Sequence, residues 1–451
     1  MRFRTIETSA GRLHRTINSM AETEASANVN NDLRSRMKGI VRSLRHRNFQ
    51  LFFSGQLISV IGTWMQNLAQ PWLVYGMTKS PLLLGLVAFA GQIPVLLLAP
   101  IGGLVADRVN RHRVVIATQT ASMVLAFVLA ALTLLHVVRV WEIVVLATLL
   151  GSVNAFDIPA RQSFIIQMVG RDDLMNAIAL NSSMFNSARV VGPAIAGLLV
   201  AWIGEGWCFF ANGASYIAVI AGLLLMRLGP LHQVIHEAPP LKHMAEGFRF
   251  VRRTKPILSL MILLGVVSVV AAPYTVLMPI FADRILRGGA RGLGILMGAT
   301  GIGALLGALT LAARRGVRGL GRWVAYSAIC FGSSLVAFSF SRVFALSVVL
   351  LVPAGYGLML QMASTNTLIQ SMVPDDLRGR AMSVYSMMFM GMMPLGSLLA
   401  GTLASRIGAP WTVMLGGCGA MIGGFVFWRL LPGMRLEARQ LLKASGLAGA
   451  E

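Results

Sequence analysis

Charged residues make up only 12% of this 451-residue chain, about half the fraction usual in soluble domains. With 56% hydrophobic residues and a mean hydropathy of +0.70, that shortage excludes an ordinary water-soluble globule and points to a bilayer. Cysteine is scarce too. Cys208, Cys330 and Cys418 each stand alone inside or at the end of an apolar run, which excludes a disulfide framework and a cysteine-built metal site. The chain also lacks a Gly-x-x-x-x-Gly-Lys phosphate loop, a His-Glu-x-x-His pair and a nucleophile elbow. Neither ATP hydrolysis nor other enzyme chemistry is expected, and no cofactor or metal. No apolar core segment precedes Phe49, so no cleavable signal peptide is expected.

Apolar runs long enough to span, about 20 residues each, fall at 50–77, 81–104, 113–136, 140–160, 176–203, 207–227, 257–281, 292–313, 322–341, 344–368, 381–405 and 411–431. Twelve such runs predict an all-α integral membrane protein. If the N-terminus is cytoplasmic, 31 of the 39 Lys and Arg fall in inside segments, leaving Lys79, Arg139, Arg189, Arg284, Arg287, Arg291, Arg342 and Arg406 elsewhere. That is the positive-inside bias. The net charge of +22 therefore encodes orientation, with both termini cytoplasmic and anionic headgroups beside the basic loops. Nucleic-acid binding, which would gather the basic residues on one face, is not expected.

The longest interior break, 229–256, holds His232, His236, Pro239, Pro240 and His243 ahead of Arg249, Arg252, Arg253 and Lys255. Its prolines interrupt any helix that would align the histidines, which favours a cytoplasmic linker over a ligand cluster. The break separates six-span halves at 46–228 and 257–432, with an N-terminal extension at 1–45 and a cytoplasmic tail at 433–451. These halves repeat. Gln167 to Leu174 matches Gln370 to Leu377 at an offset of 203, and Gly192, Ala196, Gly197, Ile203, Gly204 and Trp207 recur at an offset of 204 as Gly396, Ala400, Gly401, Ile407, Gly408 and Trp411. Two parallel halves predict a transporter that works by rocking around a midplane site. The repeated acids, Asp172-Asp173 and Asp375-Asp376, are expected to cap helices five and eleven and to meet nearby arginines.

After span two comes Gly103-Leu-Val-Ala-Asp107-Arg108-Val-Asn110-Arg111-His-Arg113. It resembles the signature loop of the major facilitator superfamily, Gly-x-x-x-Asp-Arg-x-Gly-Arg-x-Arg, with Asn110 at a glycine position because Asn also tolerates a left-handed backbone. The resemblance implies a cytoplasmic gating latch of Gly103, Asp107, Arg108, Arg111 and Arg113. Plain positive-inside topology is the simpler alternative. Near the end of span four, Phe156-Asp157-Ile-Pro159-Ala-Arg161-Gln162 resembles a segment of the drug-proton antiporter branch that includes enterobactin and macrolide exporters. Span five carries Gly192-Pro193-Ala-Ile-Ala196-Gly197, similar to an antiporter motif whose proline permits a kink. At Ala147 the chain departs from the family, where an arginine is common.

Arg189 lies near mid-membrane in span five, where a charge costs roughly 2.5–3.5 kcal/mol on translocon scales. Asp157, with Arg161 one turn on, is the acid closest to serving it. That pair reads either as a structural salt bridge or as a proton-linked charge switch. On span one, Gln56, Ser59, Thr63, Gln66 and Gln70 recur at spacings of three and four, which aligns them on one helix face. With Asn181, Asn186, Tyr274, Gln361 and Tyr385 they are candidates for a polar, largely uncharged cavity, or else for interhelical hydrogen bonds alone. Near the matching positions of the second half, Asp107, Asp157 and Arg189 are expected to have Leu311, Met359 or its neighbours, and Met393 as counterparts.

The functional expectation is a monomeric secondary transporter in a bacterial cytoplasmic membrane. It would export small amphipathic, drug- or siderophore-like molecules by alternating access, with protons as coupling ion. The alternatives are a lipid or solute-uptake facilitator of the same fold, and a non-transporting membrane sensor or assembly partner.

Overall fold

A computed structural model describes residues 42–227 and 240–444 apart from Arg315, with the side chains of Asp107, 240–245, Asp375, Asp376 and 443–444 set aside. The expectations for His232, for His236 and for the side chains of Asp107 and His243 lie outside the described residues. Among those residues there is no strand. The helices are α1 Arg47–Thr78, α2 Pro81–Arg108, α3 Arg111–Leu134, α4 Val140–Val169, α5 Leu174–Ile203 and α6 Glu205–Leu224. A short α7, Pro240–Arg253, precedes α8 Lys255–Ile285, α9 Gly289–Ala312, α10 Leu320–Phe340, α11 Phe344–Met372, α12 Leu377–Ile407 and α13 Ala409–Ala444.

Eleven of the long helices are apolar enough to cross a membrane by length and composition. The exception is α1, whose glutamines and hydroxyls dilute its hydropathy although it packs along α5 and α6. Two expectations need adjusting at the ends. The linker is helical from Pro240, because proline suits the first turn, where its missing N–H is no loss. The expected tail continues α13 through Pro432 to Ala444. In α8 the helix is interrupted by a π turn at Val267–Ala271 and a 3-10 stretch at Ala272–Leu277 around Pro273, where proline removes a backbone donor.

Within the first half α2 packs on α4, and α6 on both α1 and α3; α9 with α11 and α10 with α13 repeat this in the second. The halves meet along α5–α9 and α2–α12. Both seams are built on paired glycines. A side chain on Gly197 would meet the Cα of Gly294 at 2.9 Å, and one on Gly401 would meet the Cα of Gly85 at 2.9 Å. Only residues without a Cβ allow backbones this close. At the same end, Lys79 donates to Asp283 at 2.9 Å and ties α1 to α8. Lys79 and Arg287 close their helices with left-handed backbones at φ 51° and 52°, a further sign of duplication.

These contacts fix the register between halves. Gly151 meets the backbone of Gly91 as Gly355 meets that of Thr300, so the offset of 204 holds along α4 and α11 and makes Gln361, two residues beyond Met359, the counterpart of Asp157. Gly85 and Gly294, the seam glycines, are 209 apart. Leu311 is therefore not the counterpart of Asp107, since connections of different length shift α9 against α2. Met393 keeps its place opposite Arg189.

Candidate functional site

Asp157 is buried on the face of α4 that turns toward α3. One carboxylate oxygen accepts from the Thr118 hydroxyl at 2.8 Å and from Gln119 Nε2 at 2.9 Å. The other lies 3.4 Å from Arg161 Nε. Position i+4 places Arg161 over the same helix face, which is why it, and not Arg189, neutralises Asp157. The expected Asp157–Arg189 pair does not form. Arg161 also lies over the Phe185 ring at 5.3 Å, linking α4 to α5. Thr118 further borders an apolar groove of about 350 Å³ between α3 and α4.

Arg189 turns the other way. Its guanidinium sits 5.7 Å from the centre of the Trp64 ring on α1, and no described carboxylate pairs with it. The backbone carbonyl of Arg189 meets Gly301 of α9, so the residue stands where the halves adjoin. The neighbouring Gly192, Pro193 and Gly197 act as one packing surface: a side chain on Gly192 would strike the Trp64 Cβ, and the Pro193 carbonyl lies against Gly294.

Much of the polar stripe of α1 turns into its own half. Gln66 Oε1 accepts from Asn212 Nδ2 of α6 at 2.7 Å, and Thr63 donates to the Ser59 carbonyl. Gln56 and Ser59 are buried and Gln70 is half-buried. A side chain on Gly62 would meet Asn212 Oδ1 at 2.7 Å, so small residues in α1 admit the amides of α6. Tyr216 lies among Thr63, Ser122 and Asn212. Sequence reasoning missed Thr118, Gln119, Ser122, Asn212 and Tyr216. The signal was available, because Thr118, Gln119 and Ser122 share one face of an otherwise apolar α3.

In the second half the corresponding groups are open. Gln361, Ser364 and Thr365 are fully buried on one face of α11, and neither the amide of Gln361 nor the hydroxyls of the other two have a hydrogen-bond partner. The Tyr274 hydroxyl, also buried, has none. Other cavity candidates are satisfied locally: Tyr385 donates to the Met362 carbonyl at 3.2 Å and Asn186 to that of Ser182 at 2.9 Å. Asn181 keeps a buried, unpartnered oxygen.

At the loop after α2, Arg111 donates to the carbonyls of Ala106 and Ser163, while Arg108 and Arg113 are exposed. Gly103 has open space around it; the close approach belongs to Gly102, whose Cβ would strike the Ala155 carbonyl. Asn110 has φ −59° and caps α3 by accepting from the N–H groups of His112 and Arg113. Its place at a glycine position thus reflects capping, with no left-handed backbone involved. Asp173 at the start of α5 makes no cap bond. It pairs instead with His46 at 2.8 Å and with Arg42, while Asn176 accepts from Ser43. The His46 hydrogen bond first, then the Arg42 charge, hold the Asp173 carboxyl below its usual range. On the second half α7 takes the equivalent place, with Glu246 bound to Arg380 at 2.7 Å and Gly247 against the Arg380 carbonyl. Among the described residues no three His, Cys, Asp or Glu are grouped to hold a metal ion.

Comparison with known proteins agrees with this architecture. A family model described as transmembrane secretion effector matches residues 39–443. The staphyloferrin A transporter of Staphylococcus aureus is 27% identical over 86% of this chain and 98% of its own length. The multidrug efflux pump Tap of Mycolicibacterium fortuitum is 29% identical over 79% and 89%, and the enterobactin exporter EntS of Shigella boydii 26% over 86% and 93%. Among solved structures, a bacterial ferroportin homologue in an inward-facing state superposes with a TM-score of 0.65 at 16% identity, covering 85% of this chain and 98% of its own. A bacterial Spinster homologue, inward-facing and unoccupied, gives 0.62 at 16% over 89% and 97%.

Proposed function

The chain belongs to the transmembrane secretion effector family of the major facilitator superfamily, and from that membership we propose a proton-coupled exporter of small amphipathic molecules. It is a multi-pass membrane protein that works by alternating access as a secondary transporter, like its efflux relatives. The membrane is the bacterial cytoplasmic one, both termini face the cytoplasm, and the protein acts as a monomer. In that orientation the Lys79–Asp283 end faces outward. The glycine seams and this ion pair hold it shut, which leaves the opposite end to receive substrate.

The observation that carries the reading is the buried Asp157 with two hydrogen-bond donors and one charge partner. We read this buried carboxylate beside Arg161 as the proton site. Protonation removes the charge that Arg161 neutralises and frees that side chain, which already rests on Phe185 of the seam helix α5. Charge at α4 is thereby linked to packing at the boundary between halves. The latch loop after α2 and the Gly192-Pro193-Gly197 surface then serve as moving contacts.

Transport into everted membrane vesicles, measured for a panel of fluorescent amphiphiles with and without an imposed pH gradient, tests this. Wild-type vesicles should accumulate substrate only with the gradient, and Asp157→Asn should abolish accumulation while the protein stays inserted. Unchanged gradient-driven flux in Asp157→Asn would remove Asp157 from coupling. Gradient-driven loss from the vesicles would reverse the direction.

A further inference from the structure

We propose that Arg189, with Trp64 and Tyr274, forms an anion-receiving subsite at the junction of the halves, and that the exported molecules carry a carboxylate beside an aromatic or apolar body. The proposal deepens the exporter reading and rests on it.

Three observations converge on that point. First, among the described residues Arg189 is an arginine within a span that no carboxylate pairs with. Asp157 is consumed by Arg161, Thr118 and Gln119, and Asp283 by Lys79 at the bundle's end. Among the described residues no acid pairs with Arg189. A guanidinium stays protonated at any physiological pH, so the centre of the bundle is permanently positive and an anion lowers its energy. Second, Arg189 remains partly accessible even though apolar helices surround it. Third, Tyr274 presents a buried hydroxyl that meets no partner at hydrogen-bond geometry among the described residues. The Arg189 carbonyl meets Gly301 of α9, the residue after Thr300, which places Arg189 at the boundary between halves.

The chemistry suits a planar oxyanion. A guanidinium presents parallel N–H donors that match the two oxygens of a carboxylate, and a phenol hydroxyl supplies one more. Trp64, 5.7 Å from the guanidinium, offers apolar surface to the rest of the ligand. Because Trp64 belongs to the first half and Tyr274 to the second, an anion bound here touches both bodies that must move. A cationic amphiphile would meet an unbalanced positive charge and be rejected.

Equilibrium binding to the full-length protein in nanodiscs tests this with three probes of one shape: 1-naphthoate, 1-naphthalenemethanol and 1-naphthylmethylammonium. Wild type should prefer naphthoate to the alcohol by about tenfold and bind the ammonium weakest. Arg189→Gln should erase the preference while leaving the alcohol within about twofold. Tyr274→Phe, which keeps the ring and its packing, should weaken naphthoate alone by a few fold. An ammonium that binds as well as naphthoate, or a naphthoate preference that survives both substitutions, overturns the subsite. Vesicle flux separates the two readings. Naphthoate binding that depends on Arg189 without gradient-driven flux would sink the exporter and leave the subsite standing, whereas pumping of the ammonium probe without naphthoate binding would sink the subsite alone.

Discussion

Around Asp157 the first half of the molecule bonds its buried side chains to one another, whereas the residues at matching positions of the second half have no partner among the described residues. Asp157 is partnered by Thr118, Gln119 and Arg161, and Gln66 is joined to Asn212, with the Gln119 and Asn181 amide oxygens left unpartnered. At matching positions on α11 and α8, Gln361 replaces Asp157, Thr365 replaces Arg161, and the lone Tyr274 follows the same succession as Gln66; none of the three has a hydrogen-bond partner through its side chain. A buried polar group without a partner costs about 1–3 kcal/mol. One duplicated scaffold therefore carries two chemistries: a self-contained charge site in the first half, and in the second a surface that gains from polar groups brought by a ligand or by water.

The largest effect that would break this contrast is expected at Arg161. Arg161→Leu leaves Asp157 as a buried charge without its counter-ion, which should destabilise the protein by about 3–5 kcal/mol. Thermal unfolding in detergent reads the loss. Adding Asp157→Asn should restore most of the midpoint, because the orphaned charge is then gone. A single variant as stable as wild type would mean that the two side chains do not share a charge site.

Next comes the comparison of Gln66 with Tyr274. Gln66→Leu strands the Asn212 amide and should cost about 1–3 kcal/mol. Tyr274→Phe removes a hydroxyl that bonds to nothing, so its unfolding midpoint should barely move. Equal losses at both positions would show that Tyr274 has a partner in the folded protein and that the second half is closed as well.

How much of this was legible in the sequence depends on the length scale. The duplication, the twelve spans and the class of transporter follow from periodicity and motif, because a bilayer imposes long apolar helices whatever their partners. Partnership is what the sequence hides. Asp157 and Arg189 look like a pair when counted along spans four and five, yet an i+4 neighbour reaches the carboxylate first, and the side chain of Arg189 turns to Trp64. The polar stripe of α1 has the right spacing for a cavity wall, but Gly55 and Gly62 bring α6 against it, and only packing decides which neighbour a helix face meets. Register failed for a related reason. An offset of 204 holds along α4 and α5, but connections of unequal length shift α9 by five residues against α2, and no motif in the loop reveals that.

Smaller effects sharpen the contrast on α11. Gln361→Leu combined with Thr365→Val replaces unpartnered groups with apolar ones of similar size, which is neutral or stabilising by about 1 kcal/mol. Stability and transport should then part company, with the unfolding midpoint held or raised while flux of polar substrates falls. A drop in the midpoint would show that ordered water or a hidden partner already satisfies these atoms.

The smallest effect lies at the collars that enter each half, where the two halves differ in how they respond to acid. In the first, Asp173 is held below its ordinary range mainly by the His46 hydrogen bond, then by Arg42. A carboxyl lowered in the folded state adds stability at pH above its unfolded value, about 3.9. That stability is lost as pH falls through the lowered value. His46→Gln removes the largest cause, so the loss should begin at higher pH, nearer the ordinary carboxylate range. Hydrogen exchange at the first turns of α5 and α12, followed through an acid titration, should show the onset move at α5 alone, because Glu246 and Arg380 at α12 do not involve His46. If protection at both helix starts shifts together in His46→Gln, the collars act as one cytoplasmic unit and the difference between the halves ends at the membrane surface.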